Sequence, residues 1–310
     1  MSRRGWVLFA LMSVIWGVPY LLIKVADGGV PVPVLVAARV TLGAALLMPV
    51  ALKRGQVASL GRHWRWLAVF ACVEIIAPWA LLSDAERHLS SSMSGLLIAS
   101  VPIIGVVLAR LTGRREHMSA LRWVGLLGGL AGVALLAGPG ALGGHAWPVA
   151  EVLLTAIGYA IGPMIINRKL SELPSLGVTA VCLCAAAIVY APWAALTWPS
   201  AVPGPQVLAA LAGLGVVCTA AAFLLFFQLI AEVGPVRATV ITYVNPAVAV
   251  ALGVVVLHEP LTPQILGAFA LILAGSVLAT QAGRPAAVPP GEHPAQGLSA
   301  GLQRLDSSRD

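Results

Sequence analysis

The sequence predicts an all-helical integral membrane protein with ten transmembrane helices, and three observations lead to this fold class. Hydrophobic residues make up 59% of the 310 residues and charged residues only 10%, too few charges to cover a water-soluble surface. The apolar residues form runs of about 20, the length that crosses the roughly 30 Å hydrocarbon core of a bilayer. These runs also lack the alternating pattern of membrane β-strands.

Ten apolar runs follow one another along the chain, joined by short connections that carry turn residues. They cover residues 5–23, 32–52, 64–83, 90–109, 121–138, 147–166, 175–196, 207–230, 235–257 and 263–280. The first run exceeds the apolar region of a signal peptide, about 7–15 residues, and no cleavage site follows it. We therefore interpret it as a retained helix. The Pro-, Gly-, Ala- and Ser-rich segment 282–310 is predicted to be a disordered cytoplasmic tail.

The basic residues predict the orientation of these helices. With both the N- and C-termini in the cytoplasm, 16 of the 19 Lys and Arg residues fall in inner segments, as the positive-inside rule requires. These inner basic residues explain the net charge of +7, so the charge does not indicate nucleic-acid binding. In addition, no basic run is interleaved with aromatic residues, as is typical of nucleic-acid-binding surfaces. We therefore expect a multi-pass protein of the inner membrane, surrounded by lipid and binding no nucleic acid.

The chain resembles itself at an offset of 143 residues. The matched positions share uncommon residue types for an apolar chain: Trp16 with Tyr159, Pro49 with Pro192, and Glu116 with Glu259. Each copy holds five helices, an odd number, so the second repeat (147–281) enters the membrane upside down relative to the first (5–138). Inverted repeats are typical of secondary transporters, which alternate access around a site at the midplane.

Several motifs along the chain resemble those of one transporter family. The first helix contains Ile15-Trp16-Gly17-x-x-Tyr20-x-x-x-Lys24, and the second contains Ala37-Ala38-Arg39. Proline, acidic, hydroxyl and glycine positions recur in the last two helices of each half: Pro102, Glu116, Ser119, Gly125 and Gly132 in the first, and Pro246, Glu259, Thr262, Gly267 and Gly275 in the second. In this order, residues 5–281 resemble two copies of the five-helix unit of an EamA-type member of the drug/metabolite transporter superfamily.

The resemblance implies an inner-membrane permease for a small molecule, most often an exporter of metabolites or amino acids. It implies no particular substrate, so a multidrug or cation efflux permease and a non-transporting membrane scaffold are the alternatives. Import or export, and a monomer or a homodimer, are left open. The sequence has no motif for a nucleophile–base pair, a zinc site or a diphosphate site. We therefore expect neither an enzyme nor a bound metal or cofactor.

Arg39 and Glu74 are the two charged residues predicted to lie deep in the membrane, where ionisable side chains usually serve function. They lie on adjacent antiparallel helices, so their side chains can meet. One interpretation is a buried ion pair that fixes helix packing. In the other, Arg39 binds or orients an anionic group, and Glu74 pairs with that arginine or carries a proton. Four loop residues are instead predicted to be solvated: Asp84, Glu86, Arg87 and His88.

Aromatic side chains away from the membrane interface, together with one asparagine, are the further candidates for a substrate pathway. They are Trp16, Tyr20, Trp79, Tyr159, Tyr243 and Asn245. Prolines inside the runs predict helix breaks or hinges, because proline removes a backbone hydrogen bond. These are Pro19, Pro78, Pro102, Pro163 and Pro246. Glu259 is expected to suit the dipole of the helix that follows it, and Gly125, Gly128 and Gly132 predict close helix packing.

Overall fold

Apolar residues fill the predicted runs, and the chain folds these runs into helices that satisfy their own backbone hydrogen bonds. The computed structural model describes residues 1–112, 119–137, 146–238 and 240–280, and within these ranges it contains no β-strand. The prediction of an all-helical chain is thus confirmed for the described residues. The predicted tail at 282–310, and Glu116, lie outside them.

The helices of the first half follow the five predicted runs. They are α1 (Arg3–Ile15), α2 (Pro19–Asp27), α3 (Val32–Lys53), α4 (Trp64–Ala71), α5 (Ala77–Ala85), α6 (Ser91–Ile98), α7 (Val101–Leu111) and α8 (Ala120–Ala137). Between α4 and α5 the backbone widens into a π-helical segment, Cys72–Ile76, so that these three pieces form one continuous rod.

The second half is built in the same way. Its helices are α9 (Ala146–Ile165), α10 (Ser175–Leu196), α11 (Pro205–Ala212), α12 (Ala222–Val233), α13 (Pro235–Ala238), α14 (Ile241–Val256) and α15 (Pro263–Thr280). A π-helical segment, Gly213–Ala221, joins α11 to α12, and another, Ile166–Leu170, follows α9.

Within the described residues, eight helical segments are long and apolar enough to cross a membrane. They are Arg3–Asp27, Val32–Lys53, Leu60–Ala85, Ser91–Leu111, Ala146–Leu170, Ser175–Leu196, Pro205–Val233 and Pro263–Thr280. Two shorter apolar helices, Ala120–Leu136 and Ile241–Val256, accompany them. Each of these segments overlaps one predicted run, as expected for a multi-pass membrane protein.

Helices of the two halves pack against each other in matching pairs. The helix α3 packs on α10 and α8 on α15, while α5 packs on α9 and α1 on α12. The interior is shared as a result: Leu35 and Leu47 of α3 and Leu183 of α10 are all fully buried in one hydrophobic core. A polar group near the centre of this core is therefore surrounded by elements from both halves.

Glycines bring α8 and α15 into backbone contact. A Cβ atom at Gly275 would lie 2.5 Å from the backbone nitrogen of Gly129 and 2.6 Å from the carbonyl oxygen of Gly125. Gly132 packs closely as well, because a Cβ there would lie 2.8 Å from Ile272. Gly128 instead faces open space, because it lies at the edge of the helix face that the other glycines present to α15.

Replacing Gly275 with alanine is expected to destabilise the fold by about 1–3 kcal/mol, the usual cost of overpacking a tight interior. The reason is that the added methyl group meets backbone atoms, which cannot move aside as a flexible side chain can. Thermal unfolding of the purified protein in detergent measures the effect. Gly128→Ala is the matched control, since its Cβ meets nothing within 4 Å; an equal loss of stability in both variants would contradict this explanation.

Candidate functional site

Arg39 is a buried cation that forms no ion pair with a described acidic residue. It projects from α3 about two turns after the helix begins, and it is only 7% exposed. Its guanidinium carbon lies 3.7 Å from the ring centroid of Trp79, and its Nε donates a hydrogen bond to Thr219 Oγ1 at 3.2 Å. Among the described residues the only ion pair is elsewhere, between Arg87 and Asp27. The Arg39 side chain therefore contacts a ring and a hydroxyl group, and Glu86 interacts with its charge at longer range.

Two tyrosines complete the surroundings of Arg39. Tyr20 of α2 and Tyr159 of α9 are both close enough to interact electrostatically with the guanidinium group, and Trp79 neighbours Tyr159. We call this set the Arg39 cluster: Tyr20, Arg39, Trp79, Tyr159 and Thr219. It joins four predicted pathway residues with one that was not predicted, and it draws on both halves of the chain.

Two of the π-helical segments occupy equivalent positions in the two halves. Cys72–Ile76 lies in the third transmembrane segment of the first half, and Gly213–Ala221 in that of the second. The 143-residue offset places Ile76 opposite Thr219, whose hydroxyl donates to the Leu214 carbonyl at 2.8 Å. Because π-helical turns are frequent at functional sites, their presence beside the Arg39 cluster favours a functional centre there.

Glu74 lies apart from Arg39, and the anticipated ion pair between them is not formed. The Glu74 carboxylate faces α9 at Gly162, where a Cβ atom would lie 1.8 Å from Glu74 Oε2. This oxygen has no hydrogen-bond partner among the described residues. Glu74 is near enough to Tyr159 for the two groups to interact electrostatically. It therefore borders the Arg39 cluster without neutralising it, because its side chain points towards α9.

Trp16 and Asn245 connect α1 with the second half of the chain and lie outside the Arg39 cluster. The ring centroid of Trp16 is 4.6 Å from that of Phe226 on α12. The Asn245 side-chain nitrogen, in the orientation that satisfies the amide, donates to the Ser13 carbonyl at 3.1 Å. In this conformation both residues hold helices together.

Tyr243 also lies away from the Arg39 cluster. Its hydroxyl group shares a 2.6 Å hydrogen bond with the hydroxyl of Thr280, the last residue of α15. This contact ties the beginning of α14 to the end of α15.

The five prolines predicted as breaks or hinges occupy three kinds of position. A break in the helix precedes Pro19, the first residue of α2, and Pro102, the second residue of α7. Pro78 stands directly after a π-helical segment, at the start of α5. Pro163 and Pro246 lie inside the continuous helices α9 and α14. A single missing N–H is tolerated there, since neighbouring groups can satisfy the freed carbonyl.

Charged residues meet at one end of the helical bundle, which we call the Glu86 end. Glu86 directly follows α5 and is fully buried, so the prediction that it is solvated is wrong, whereas Arg87 is exposed. The Lys24 ammonium group donates to the Glu86 carbonyl oxygen, and Arg87 Nε lies 2.9 Å from Asp27 Oδ1. These two contacts draw the turn after α5 onto the end of α2, and the Glu86 side chain is buried as a result.

Glu259 reaches across the bundle to the first turn of α6. Its Oε1 accepts a hydrogen bond from the Ser91 backbone N–H at 2.7 Å, and its Oε2 accepts from the Ser92 N–H at 3.0 Å. It was expected to act on the helix that follows it; its hydrogen bonds are made to α6 instead. His258, with a φ of 55°, turns the chain back, and Gly253 leaves the space that the carboxylate occupies.

A pocket of about 320 Å³ lies at the opposite end of the bundle, which we call the Arg168 end. Its walls combine aromatic, apolar and basic side chains, among them Trp66, Thr112, Ile161, Ile165, Arg168 and Lys169. Ile161 and Ile165 flank Gly162, the glycine against which Glu74 packs. The pocket is thus lined by the part of α9 that neighbours Gly162 in sequence, and Glu74 is not among the described residues of its walls.

Two residues that shape these sites, Thr219 and Gly162, carry no functional signal in the sequence, and Glu86 is predicted there only as a solvated loop residue. A lone hydroxyl or glycine in an apolar run is common in membrane helices, so neither Thr219 nor Gly162 carried a signal. Glu86 stood among other charged residues, which is the usual pattern of a solvated loop. Across the described residues, no group of three or more His, Cys, Asp or Glu side chains is placed to hold a metal ion.

The EamA-like transporter family matches this chain twice, over residues 3–138 and 146–281. The uncharacterized inner membrane transporter YedA of Escherichia coli strain K12 is 28% identical over 276 residues, which cover 88% of this chain and 89% of that protein. The uncharacterized transporter YvbV of Bacillus subtilis strain 168 is 25% identical over 281 residues, covering 88% and 90%. A protein crystal structure with 23% identity shares the fold, with a TM-score of 0.66 over 92% of this chain and 100% of that one.

Proposed function

Because this chain belongs to the EamA-like transporter family, we propose that it is a secondary active transporter that exports a small metabolite by alternating access. It is a multi-pass protein of the cell membrane, as its apolar helices and its similarity to an inner membrane transporter indicate. The observation that carries the proposal is the buried guanidinium of Arg39, which forms no ion pair among the described residues and lies between the two halves.

Two inverted five-helix repeats, 5–138 and 147–281, form the transporter. The two family matches support this arrangement, as do the π-helical segments at equivalent positions. The helix packing also supports it. Exchanging the two halves brings α5 to the position of α12 and α9 to that of α1. Both pairs, α5 with α9 and α12 with α1, are in contact. Rocking of one repeat against the other can then expose a central site to each side of the membrane in turn.

Both termini, and residues 282–310, face the cytoplasm. The support is the concentration of 16 of the 19 Lys and Arg residues in the segments that this orientation places inside. The Arg168 end, with its pocket, then opens towards the cytoplasm, and the Glu86 end faces the outside. A substrate to be exported would enter through the pocket and leave at the Glu86 end.

The substrate carries a carboxylate, as an amino acid or a related metabolite does. A buried, unpaired charge is costly, so an anionic group that reaches Arg39 is favoured there. A guanidinium group also presents planar donors that match the two oxygens of a carboxylate. The rings of Tyr20, Trp79 and Tyr159 provide the apolar surface for the remainder of the molecule.

Proton coupling uses Glu74. Its Oε2 is buried without a hydrogen-bond partner in the described part of the chain, and Gly162, its neighbour, stands between two residues that line the pocket. In this proposal Glu74 exchanges its proton with the cytoplasm when the repeats rock and water reaches its carboxyl group. The Glu74 charge interacts electrostatically with Tyr159, a member of the Arg39 cluster, where the substrate binds.

Efflux of an organic cation is the second function supported by a specific observation. Three of the five side chains in the Arg39 cluster are aromatic, and the faces of aromatic rings attract cations. The Arg39 charge at the centre repels a cationic substrate, and for that reason we favour the carboxylate. If the protein were a non-transporting scaffold, it would need none of these features, and no flux would be measured.

Transport by everted membrane vesicles tests the proposal. Overexpression is expected to protect cells against toxic amino acids or their analogues, and the protecting compound should accumulate in everted vesicles under a proton gradient. Competition by compounds with and without a carboxylate then separates the two substrate classes. Unchanged growth and flux across amino acids, nucleosides, sugars and cationic drugs would contradict the exporter.

A further inference from the structure

Glu86 is a buried carboxyl group that none of the contacts described above neutralises. It is 0% exposed, and neither of its carboxylate oxygens has a hydrogen-bond partner among the residues the structure describes. Lys24 approaches, yet its ammonium group donates to the backbone carbonyl of Glu86 and not to the side chain. Because an ionised carboxylate without partners is costly to bury, this arrangement favours the neutral, protonated form.

Charged and titratable groups surround Glu86 from every element packed against it. They are Tyr20, Lys24 and Asp27 of α2, Arg39 of α3, Tyr159 of α9 and Glu259 between α14 and α15, with Asp84, Arg87 and His88 along its own chain segment. Burial raises the pKa of Glu86 well above its usual range; Lys24 and Arg39 oppose this rise, and Glu259 and Asp27 add to it.

The burial of Glu86 depends on a contact between the two halves of the protein. Glu259 binds the first turn of α6 at Ser91 and Ser92, from a position 168 residues away from Ser91. The turn that carries Glu86 leads directly into α6. Separation of Glu259 from α6 would release the first turn of α6 and let water reach the neighbouring Glu86 carboxyl group.

We propose that Glu86 is a proton-binding site and that the Glu86 end closes only when this site is occupied. This inference rests on the proposed alternating-access function. In the open state Glu86 is hydrated and releases its proton to the outside water. Before closure, one proton from the outside binds a carboxylate oxygen and restores the neutral group that the closed interior accepts.

The sign of the pH dependence follows from this cycle. Closure takes up a proton, so the closed state is favoured at low pH. The fraction of closed protein falls as the pH rises above the pKa of Glu86 in the open state, about 4.3 for an ordinary glutamate. Linkage of one proton changes the ratio of closed to open protein by up to about tenfold per pH unit. This dependence ends where the pH passes the raised pKa of the closed state.

The proton site is confined to the Glu86 end. At the 143-residue offset, Glu86 is matched by Leu229, and Lys24 by Asn167. The corresponding closure at the Arg168 end therefore has no carboxyl group at this position. The proton bound on closure returns to the same outside water on opening, so this site sets the closed fraction by the outside pH and carries no proton across the membrane.

Accessibility of a single cysteine at Ser94 tests this inference. Ser94 lies on α6 and is fully buried, and the four native cysteines are first replaced by serine. Right-side-out vesicles are treated with a charged, membrane-impermeant thiol reagent at about pH 5.5 and pH 7.5. Rates are divided by those of a cysteine at the exposed Gly28, because thiol reactivity itself rises with pH. The normalised rate at Ser94 should rise by about tenfold or more.

Glu86→Gln imitates the protonated carboxyl group and should hold the normalised rate at its low, acidic value at both pH values. Glu151→Gln is the matched control: Glu151 is also buried, near Asp84, and its loss should leave the rise intact. Glu259→Gln weakens the contact with α6 and should raise labelling at both pH values. It also provides a test that does not depend on the folding of the Glu86 variant.

The possible failures are distinguishable. If the cysteine at Ser94 is never labelled from outside, the Glu86 end does not open and the proposed alternating access is wrong. If it is labelled without pH dependence, or if the dependence persists in Glu86→Gln, the proton site is wrong and the transport function stands. Unchanged labelling in Glu259→Gln also overturns the inference. Labelling that follows sodium concentration at constant pH overturns the proton as the ligand.

Discussion

The Arg39→Gln variant is expected to lose nearly all transport of a carboxylated substrate while remaining folded. The substitution removes the only positive charge of the Arg39 cluster and leaves a polar side chain of similar reach. A hydrogen bond to a charged group contributes about 1.5–3 kcal/mol, so the dissociation constant should rise roughly 10- to 100-fold. Binding to purified protein and flux in proteoliposomes measure the two effects.

Comparison of a substrate with its carboxamide separates substrate binding from a structural role of Arg39. The variant should weaken binding of the carboxylate far more than binding of the carboxamide, because the carboxamide carries no charge. Arg54→Gln is the matched control, since Arg54 directly follows the same helix and is exposed. An equal loss for both ligands, or a large fall in thermal stability, would show that Arg39 serves packing through Trp79 and Thr219.

The Glu74→Gln variant is expected to lose flux driven by a pH gradient and to retain exchange of substrate for substrate. Exchange needs the site to turn from one side to the other with substrate bound, and it needs no net movement of protons. Net export, in contrast, requires a group that gives up a proton on one side and regains it on the other. Proteoliposomes loaded with substrate measure both modes in the same preparation.

Glu172→Gln is the matched control for Glu74, because Glu172 is exposed in the connection before α10 and should not affect either mode. Gly162→Ala provides an independent test. Its methyl group would lie 1.8 Å from Glu74 Oε2 and must displace the carboxyl group without removing it, so gradient-driven flux should fall here as well. Full gradient-driven flux in Glu74→Gln would remove the proton-carrying role.

The predicted helices agree closely with the structure, because the length of an apolar run is a property of the local sequence. The predicted run 175–196 coincides with α10, and 147–166 differs from α9 by one residue at each end. The widened π-helical turns had no comparable signal, since Cys72–Ile76 contains neither proline nor glycine. Their hydrogen bonds depend on the helices packed around them.

Four of the five members of the Arg39 cluster were predictable, but their contacts were not. Tyr20, Arg39, Trp79 and Tyr159 were all selected as uncommon residues at membrane depth, and they do meet. In one of the two interpretations of the sequence, the partner of Arg39 was Glu74, on the adjacent antiparallel helix. A hydroxyl group 180 positions along the chain takes that place, because Glu74 is turned towards α9.

Composition, run length and charge distribution were sufficient to establish a helical membrane protein, and the internal offset pointed to two related halves. Each of these features records how single residues interact with lipid or water. The partners of Arg39, the burial of Glu86 and the capping of α6 by Glu259 depended instead on the rotation and register of packed helices. An apolar helix in lipid has little sequence signal for its rotation, because lipid tails are as apolar as the protein interior. Those contacts are therefore settled by packing between distant segments.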